Sequence, residues 1–315
     1  MFSINWEPKR GKGVFVRSLS QGARVLDVGC GNNSPQWFRQ ARPDLYYVGI
    51  DIGDYYQEAD PNLYADEYIV TGPETFADRI AAYSGSMDAI VSSHNLEHCN
   101  DPRSVLEAIA RALKPGGWLC LSFPCEESTN FPKRGGCLNF YDDSSHQEVP
   151  NWSRTLQVLQ DMDCELVFVT KRYRPFPLFF RGLLLEPMSC LRRHVAAHGA
   201  TWALYGFESV IWARKKGSAV MVKKWGEKET RAGIGVNVQP DGSSAIWIQL
   251  EGFVPFGDVY VEFNGSRGSG AATIVHNLLT AEIPATVISN VGRYSVEITD
   301  SLGFRVLVGD FIVNS

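Results

Sequence analysis

Long apolar runs are missing from this sequence of 315 residues, and none approaches the roughly 18 residues that a membrane-spanning helix needs. Its first 19 residues contain neither the apolar core nor the cleavage site of a secretory signal. Basic residues are not in excess, because 30 Lys and Arg stand against 35 Asp and Glu, for a net charge of −5. A phosphate backbone attracts a basic face. We therefore expect a cytoplasmic protein without a nucleic-acid partner.

Paired cysteines are absent as well. The seven cysteines include no CxxC pair, so the pattern indicates neither a zinc ribbon nor a redox dithiol. Hydrophobic residues make up 44% of the chain and charged residues 21%, which is the composition of an ordinary globular protein. The chemistry must come from side chains other than clustered thiols.

The length favours two domains over one. The stretch from Arg231 onward has no Lys, and residues 213–233 are rich in charge without apolar periodicity, as exposed connections tend to be. We predict a linker near residues 217–232. The domains are then residues 1–217 and 218–315.

The first domain alternates strand and helix patterns. Helical segments such as Pro102–Leu113 separate short β-branched or apolar runs at Arg24–Val28, Tyr46–Ile50, Met87–Ser92 and Trp118–Phe123. This order predicts a doubly wound α/β domain with a parallel sheet.

The second domain shows strand alternation only. Runs such as AIWIQL and DVYVEF are separated by turns such as PDG and DSLG, with no convincing helix. We predict a small all-β sandwich, whose role stays open between ligand binding, dimerisation and substrate presentation.

The segment VLDVGCGNNS, residues 25–34, is a predicted strand that ends in a glycine turn where a ligand can approach the backbone. Asp27 suits a ligand ammonium group. The strand YYVGID ends in Asp51, where a carboxylate can accept both hydroxyls of a ribose. Ser34 stands at the third glycine of GxGxxG, which disfavours a dinucleotide. An ammonium group and a ribose together describe S-adenosylmethionine.

These motifs resemble the class I S-adenosylmethionine-dependent methyltransferases of the type 11 kind. The resemblance is carried by VLDVGCG, VGID, MDAIVSSHNLEH and ARALKPGGWLCLSFP, and it covers about residues 20–125. It implies a Rossmann-like methyltransferase sheet. The carboxyl-terminal run GFVPFGDVYVEFNG resembles immunoglobulin-like modules of the IPT/TIG kind.

The resemblance also implies cofactor contacts. It places methionine near Asp27, Gly29 and Gly31, ribose at Asp51 and Ile52, adenine at Thr71, Gly72 and Pro73, and the methyl-transfer site at Ser93 and His94. The alternative for Asp27 and Asp51 is that each carboxylate binds backbone amides of its own turn.

A hydroxyl acceptor needs a base, and histidine suits that role near neutral pH. We predict His94, directly after a strand, as the base, and His146 in a polar loop as the second candidate. His94, Glu97 and His98 have a spacing that could bind a metal on a helix, but no third ligand is evident. We predict no metal site.

Residues 172–198 form a long apolar insertion that contains several arginines. We expect a buried helical lid, and contact with a membrane surface is the alternative. The arginines would also suit a phosphorylated or carboxylated acceptor. A homo-oligomer is a further expectation.

The predicted function is transfer of a methyl group from S-adenosylmethionine to a small-molecule, sugar or glycan hydroxyl in polysaccharide biosynthesis, leaving S-adenosylhomocysteine. The alternatives are a catalytically idle scaffold that binds the cofactor and an NAD-dependent oxidoreductase.

Overall fold

The computed structural model describes residues 10–53, 57–217, 220–251, 257–275, 277–301 and 305–315. These residues divide into two compact units. The first contains the described residues up to Arg17 together with Gly22–Lys216, and the second contains Ser18–Gln21 and the described residues from Gly217 on. The predicted boundary lies after residue 217, and no sequence pattern assigns Ser18–Gln21 to the second unit.

The first unit is built on one seven-stranded sheet. Its strands are β1 (Arg24–Val28), β2 (Tyr46–Asp51), β3 (Glu67–Val70), β4 (Met87–Ser93), β5 (Leu113–Pro124), β6 (Cys164–Thr170) and β7 (Glu208–Lys215). The order is β3-β2-β1-β4-β5-β7-β6. Strands β1 to β5 run parallel, while β7 is antiparallel to both β5 and β6. This topology confirms the predicted doubly wound, Rossmann-like sheet.

Seven helices accompany this sheet within the described residues. They are α1 (Lys12–Arg17), α2 (Asn33–Ala41), α3 (Phe76–Ala81), α4 (Pro102–Ala112), α5 (Trp152–Asp161), α6 (Phe176–Arg192) and α7 (His198–Tyr205). Helix α4 shows why they form: the Asp101 side chain accepts the Ser104 amide as an N-cap, and Pro102 starts the first turn. Its inner face buries Val105 and Ile109 in the core.

The central strands are buried along almost their whole length, as parallel strands covered by helices are. Leu26, Ile90, Leu119 and Leu121 are inaccessible to solvent and belong to one core cluster. Parallel strands align their carboxyl ends at one edge. The loops after β1, β2 and β4 therefore meet there.

The insertion folds into α6 and α7, but the prediction of a buried lid is wrong for α6. Only Gly182 and Ser189 of this helix are buried. A Cβ atom at Gly182 would lie 2.2 Å from the Ala200 carbonyl oxygen, so α6 packs closely on α7 there. The opposite face of α6 exposes six large apolar side chains. Among the described residues, no helix is long and apolar enough to cross a membrane.

The second unit contains two sheets with a shared core. Its strands are β8 (Met221–Trp225), β9 (Glu229–Arg231), β10 (Ser244–Glu251), β11 (Val259–Phe263), β12 (Ser266–Arg267), β13 (Thr273–Val275), β14 (Leu278–Ile283), β15 (Gly292–Asp300) and β16 (Arg305–Asn314). The sheet orders are β13-β14-β10-β8 and β12-β11-β15-β16-β9. Ile248 and Phe263 come from different sheets and share one core cluster.

Two details of this unit correct the sequence analysis. The predicted linker, residues 217–232, contains the strands β8 and β9, and a short helix, α8 (Ala285–Ser289), interrupts the expected all-β pattern. A separate β domain is confirmed. The specific immunoglobulin-like assignment stays a prediction.

Candidate cofactor and acceptor site

The glycine turn after β1 adopts backbone conformations that other residues rarely take. Gly29 has φ +73° and Gly31 has φ +58°. A Cβ atom at Gly29 would lie 2.5 Å from the Asn95 side-chain oxygen, so the loop after β4 approaches this turn closely. Gly29 is thus required for the local geometry, Gly31 is favoured by its backbone conformation, and the turn lies at the sheet edge where cofactors of this fold bind.

Asp51 joins the loops after β1 and β2. Its carboxylate is buried and accepts the Gly31 amide at 2.6 Å and the Ile52 amide at 2.7 Å. The structure therefore contains the bonds of the alternative prediction, in which the Asp51 carboxylate accepts backbone amides. A carboxylate has about four acceptor sites, so these two bonds do not by themselves exclude ribose hydroxyls.

Asp27 contacts side chains of the protein itself. Its buried Oδ2 accepts the Ser34 hydroxyl at 2.5 Å and the Tyr47 hydroxyl at 2.9 Å, and the Lys12 ammonium lies 3.7 Å away. Burial, with Asp27 next, raises the pKa of the Tyr47 phenol well above its usual value. Through these side-chain contacts, Asp27 connects α1, α2 and β2. Its predicted contact with a cofactor ammonium stays a prediction.

The first amides of α2 face an oxygen acceptor. The Asn32 and Asn33 amides donate to Gln57 Oε1 at 3.0 and 3.1 Å. A ligand carboxylate has the same acceptor chemistry and favours the same helix terminus. These donors and Asp51 together fit the carboxylate and ribose of S-adenosylmethionine.

The residues predicted around adenine lie in a turn beside Asp51. The Thr71 amide donates to the Asp51 carbonyl at 2.9 Å, and the next residues, Gly72 and Pro73, are exposed at the start of a short 3-10 helix. Ile52 is 40% exposed next to Asp51. Ser93 ends β4 and accepts the Ser122 hydroxyl at 3.2 Å. The fold thus brings these predicted residues to one edge of the sheet.

His94 lies between two carboxylates. Its Nδ1 is 3.1 Å from Glu97 Oε1 and its Nε2 is 2.9 Å from Glu208 Oε1, while its ring contacts the rings of Trp202 and Phe207. Burial works against the charged ring, but the hydrogen bonds to Glu208 and Glu97 outweigh it and raise the pKa of His94 to about 10. A ring that is already protonated cannot accept a proton, so this geometry does not support His94 as the base.

A cavity of about 320 Å³ lies at the same edge. Most of its wall is apolar, and the charged groups on it are Lys12 and Glu208. Its wall consists of Gly11, Lys12, Gly13, Val14, Trp37, Tyr173, Pro175, Leu178, Gly199, Ala203 and Glu208. An apolar cleft with a few polar groups is the usual form of a small-molecule site.

Glu208 was not among the predicted site residues. It is 114 residues from its partner His94, and no local pattern connects the two. Its position in the sheet could have identified it as a site residue, because Glu208 begins β7 and pairs with Pro124 at the end of β5. An acid there must reach the functional edge of the sheet.

His146 does not line this cavity. Its ring lies 4.8 Å from the ring of His98 and 4.5 Å from that of Phe140, measured between centroids. Its predicted role as the second candidate base stays a prediction. The structure places it with His98 and Glu97 instead.

The first unit is similar to known proteins along most of its sheet. The family described as a methyltransferase domain matches residues 11–162. Over these residues the first unit is similar to methyltransferase domains. Its glycine turn and Asp51 fit S-adenosylmethionine.

Relatives of the methyltransferase domain include two proteins named ubiquinone biosynthesis O-methyltransferase. The one from Thiobacillus denitrificans is 35% identical over 120 residues, covering 36% of this chain and 50% of that protein. The one from Erwinia tasmaniensis is 35% identical over 124 residues, covering 36% and 45%. The chain spans about half the length of the curated relatives it matches.

Solved structures similar to the chain include two S-adenosylmethionine-dependent methyltransferases. The Mesorhizobium loti structure has a TM-score of 0.45 at 18% identity, covering 63% of this chain and 93% of that one. The Archaeoglobus fulgidus structure has a TM-score of 0.40 at 16% identity, covering 65% and 96%.

Proposed function

We propose that this protein transfers a methyl group from S-adenosylmethionine to a hydroxyl oxygen of a small molecule bound in the cavity beside Glu208. The observation that carries the proposal is the Glu208 carboxylate, which lines the cavity and is held by His94. The cofactor supplies an electrophilic methyl group on a sulfonium ion. The residues of the chain have to position the hydroxyl and take its proton.

Glu208 is the proposed base. Only its Oε1 is bonded to His94, and its side chain is 26% exposed, so the carboxylate can be reached from the cavity. His94 is the positioning residue. It is fixed on its other side by Glu97 and holds the carboxylate of Glu208 in one orientation.

The proposed acceptor is a hydroxyl on an aromatic ring. Trp37, Tyr173 and Leu178 provide flat and apolar walls, which suit a planar ring. Relatives over the matched segment are named as O-methyltransferases of ubiquinone biosynthesis. Neither the cavity nor the relatives support the sugar or glycan acceptor, or the role in polysaccharide biosynthesis, that we predicted from the sequence.

Glu208→Gln tests the base. The amide keeps the size of the side chain but cannot take a proton, so turnover should fall about 10²- to 10⁴-fold. Affinity for S-adenosylmethionine should change less than about threefold, because Glu208 lies outside the glycine turn. We would measure S-adenosylhomocysteine formation with catechols and with nucleotide sugars as acceptors, and cofactor binding by calorimetry.

Glu165→Gln, an exposed glutamate on β6, is the matched control and should retain turnover. Equal turnover in wild type and Glu208→Gln would remove Glu208 as the base. Turnover with nucleotide sugars alone would overturn the aromatic acceptor. Cofactor binding without turnover on any acceptor would favour the idle scaffold, and binding of NAD in its place would favour an oxidoreductase.

A further inference from the structure

Glu97 has a buried oxygen without a hydrogen-bond donor. The residue is wholly inaccessible to solvent, and its Oε1 is bonded to His94 Nδ1. Within the described part of the chain, its Oε2 has no hydrogen-bond partner. Buried carboxylate oxygens are nearly always paired, because burial without a partner is costly. This oxygen therefore indicates a missing proton or a missing cation.

Two imidazoles stand beside this oxygen. Glu97, His98 and His146 each offer one ligand atom, and these atoms lie within 4.8 Å of one another. Zinc binds nitrogen and oxygen at about 2.0 to 2.2 Å, so the ligand atoms of a tetrahedral ion lie about 3.3 to 3.6 Å apart. Small side-chain rotations would bring these three atoms onto one ion. The three residues come from the turn after β4 and from the loop after β5. In the sequence, His146 lies 48 residues after His98.

In both histidines, Nδ1 has a hydrogen-bond partner outside this group of three residues. His146 Nδ1 is 2.6 Å from the Phe140 carbonyl oxygen, which can only accept, so this nitrogen carries the proton. His98 Nδ1 faces the Ser145 hydroxyl at 3.1 Å and the Ser145 carbonyl at 3.4 Å. These bonds leave Nε2 of each ring as the ligand atom. A histidine that binds a metal usually has its second nitrogen fixed in this way.

The loop that carries His146 is built to hold its position. The Gln147 amide donates to the Glu97 carbonyl at 2.7 Å, which attaches the loop directly to the residue with the unpaired oxygen. Asn139 and Asp142 form a reciprocal cap on the 3-10 helix before it. Asp143 lies 3.9 Å from His146 Nε2, where its carboxylate can serve a bound cation as an additional or outer ligand.

We propose that Glu97, His98 and His146 form a binding site for one divalent transition-metal ion of the zinc type, separate from the cofactor and acceptor sites. One carboxylate and two imidazoles are a common ligand set for zinc. The site also differs from the metal pattern that sequence analysis considered, because His94 is occupied by two carboxylates and His146 takes its place. Through Glu97, the ion would fix the orientation of His94 and so of Glu208.

The test is zinc binding by the full-length chain after chelation. Calorimetric titration with zinc chloride should give one ion per chain, and zinc should raise the thermal unfolding temperature, because an ion that binds only the folded state stabilises it. In His146→Gln the affinity should fall at least about 100-fold, since removal of outer partners alone costs 10- to 100-fold. The zinc-dependent rise in unfolding temperature should disappear as well.

His198→Gln is the matched control, because His198 is an exposed histidine at the start of α7. It should bind zinc like the wild type. Equal zinc affinity in His146→Gln and His198→Gln would overturn the proposal, and would point to a thiol such as the exposed Cys190. Circular dichroism checks that each variant folds. If His146→Gln does not, His98→Gln is tested in the same way.

Glu97→Gln separates a cation from a proton. If Glu97 is a ligand, this variant should lose zinc binding, and cobalt added to the wild type should give the visible absorption of a low-coordinate site that the variant lacks. If Oε2 is merely protonated, the wild type should bind less than about 0.1 zinc per chain. That result overturns the site, and so does zinc binding by Glu97→Gln with the affinity of the wild type.

Discussion

At the scale of single residues, the centre of the candidate site is a histidine with an uncommon backbone. His94 has φ +53°, a left-handed conformation that residues other than glycine seldom adopt. Two carboxylates and the rings of Trp202 and Phe207 hold it there. Such strain persists only where surrounding contacts determine the position. The contacts turn the imidazole into a fixed link between Glu97 and Glu208.

Asp51 should support cofactor binding both as the acceptor of two amides and through its negative charge, and two substitutions separate these effects. Asp51→Ala removes the acceptor of two amides and the charge near the ribose position, so affinity for S-adenosylmethionine should fall by about 1 to 3 kcal/mol. Asp51→Asn keeps an acceptor oxygen and should lose less. Calorimetry with S-adenosylmethionine measures both losses.

The comparison for this prediction is Asp161→Ala, which changes an exposed aspartate at the end of α5 and should bind the cofactor normally. Affinity in Asp51→Ala equal to that of Asp161→Ala would place Asp51 outside the ribose site. It would leave Asp51 the single role of joining the loops after β1 and β2.

At the scale of elements, the buried strands of the first unit could be predicted, whereas the edge strand β8 of the second unit could not. The run Arg24–Val28 is β1 with the same bounds, because a strand covered on both faces is mostly apolar, and Asp27 is the buried polar exception within it. Strand β8, in contrast, has exposed Lys223 and Lys224 and pairs with β10 at the edge of its sheet. Lysines protect exposed sheet edges, so an edge strand has the composition of a linker.

The candidate site divides in the same way. The glycine turn and Asp51 follow local patterns and could be assigned from sequence. The contact between His94 and Glu208, and the grouping of His146 with Glu97, depend on the order β4-β5-β7 and on the 27-residue segment between β5 and α5. No periodicity encodes such a contact, because it forms only when distant segments pack.

Helix α6 presents an apolar face that we predict to lie on an anionic membrane surface. Its exposed side chains recur at helical spacing, with Leu184 81% and Leu191 87% accessible, and Arg181 and Arg192 flank them. The other members of this face are Phe176, Phe180, Leu183 and Met188. Apolar residues flanked by arginine are typical of helices in a membrane interface.

Replacing Leu184 and Leu191 together by Glu should weaken binding to phosphatidylglycerol vesicles at least 10-fold in a sedimentation assay, because two buried leucines contribute about 3 to 6 kcal/mol. Leu63→Glu, at an equally exposed leucine outside the helix, should bind like the wild type. Absence of vesicle binding by the wild type would contradict the prediction. A dimer that the double variant abolishes would instead assign the face to a second copy of the chain.

At the scale of the whole molecule, the residues assigned to cofactor and acceptor belong to one unit. Gly29, Asp51, His94 and Glu208 all lie within Gly22–Lys216, around one apolar core cluster. The second unit has a core of its own. Ser18–Gln21 is the exception to this division, because it joins α1 to β1 in the chain but clusters with the second unit.

We predict that a fragment of residues 1–217 folds and binds S-adenosylmethionine within about threefold of the full chain, because a domain of this size buries a sufficient core. Circular dichroism and calorimetry would measure both properties. In the fragment, Ser18–Gln21 lacks the unit with which it clusters. This segment directly follows α1, and Lys12 of α1 lines the acceptor cavity. Turnover should therefore fall more than cofactor affinity does. An aggregated fragment would contradict independent folding, whereas a folded fragment that fails to bind the cofactor would show that cofactor binding requires the second unit.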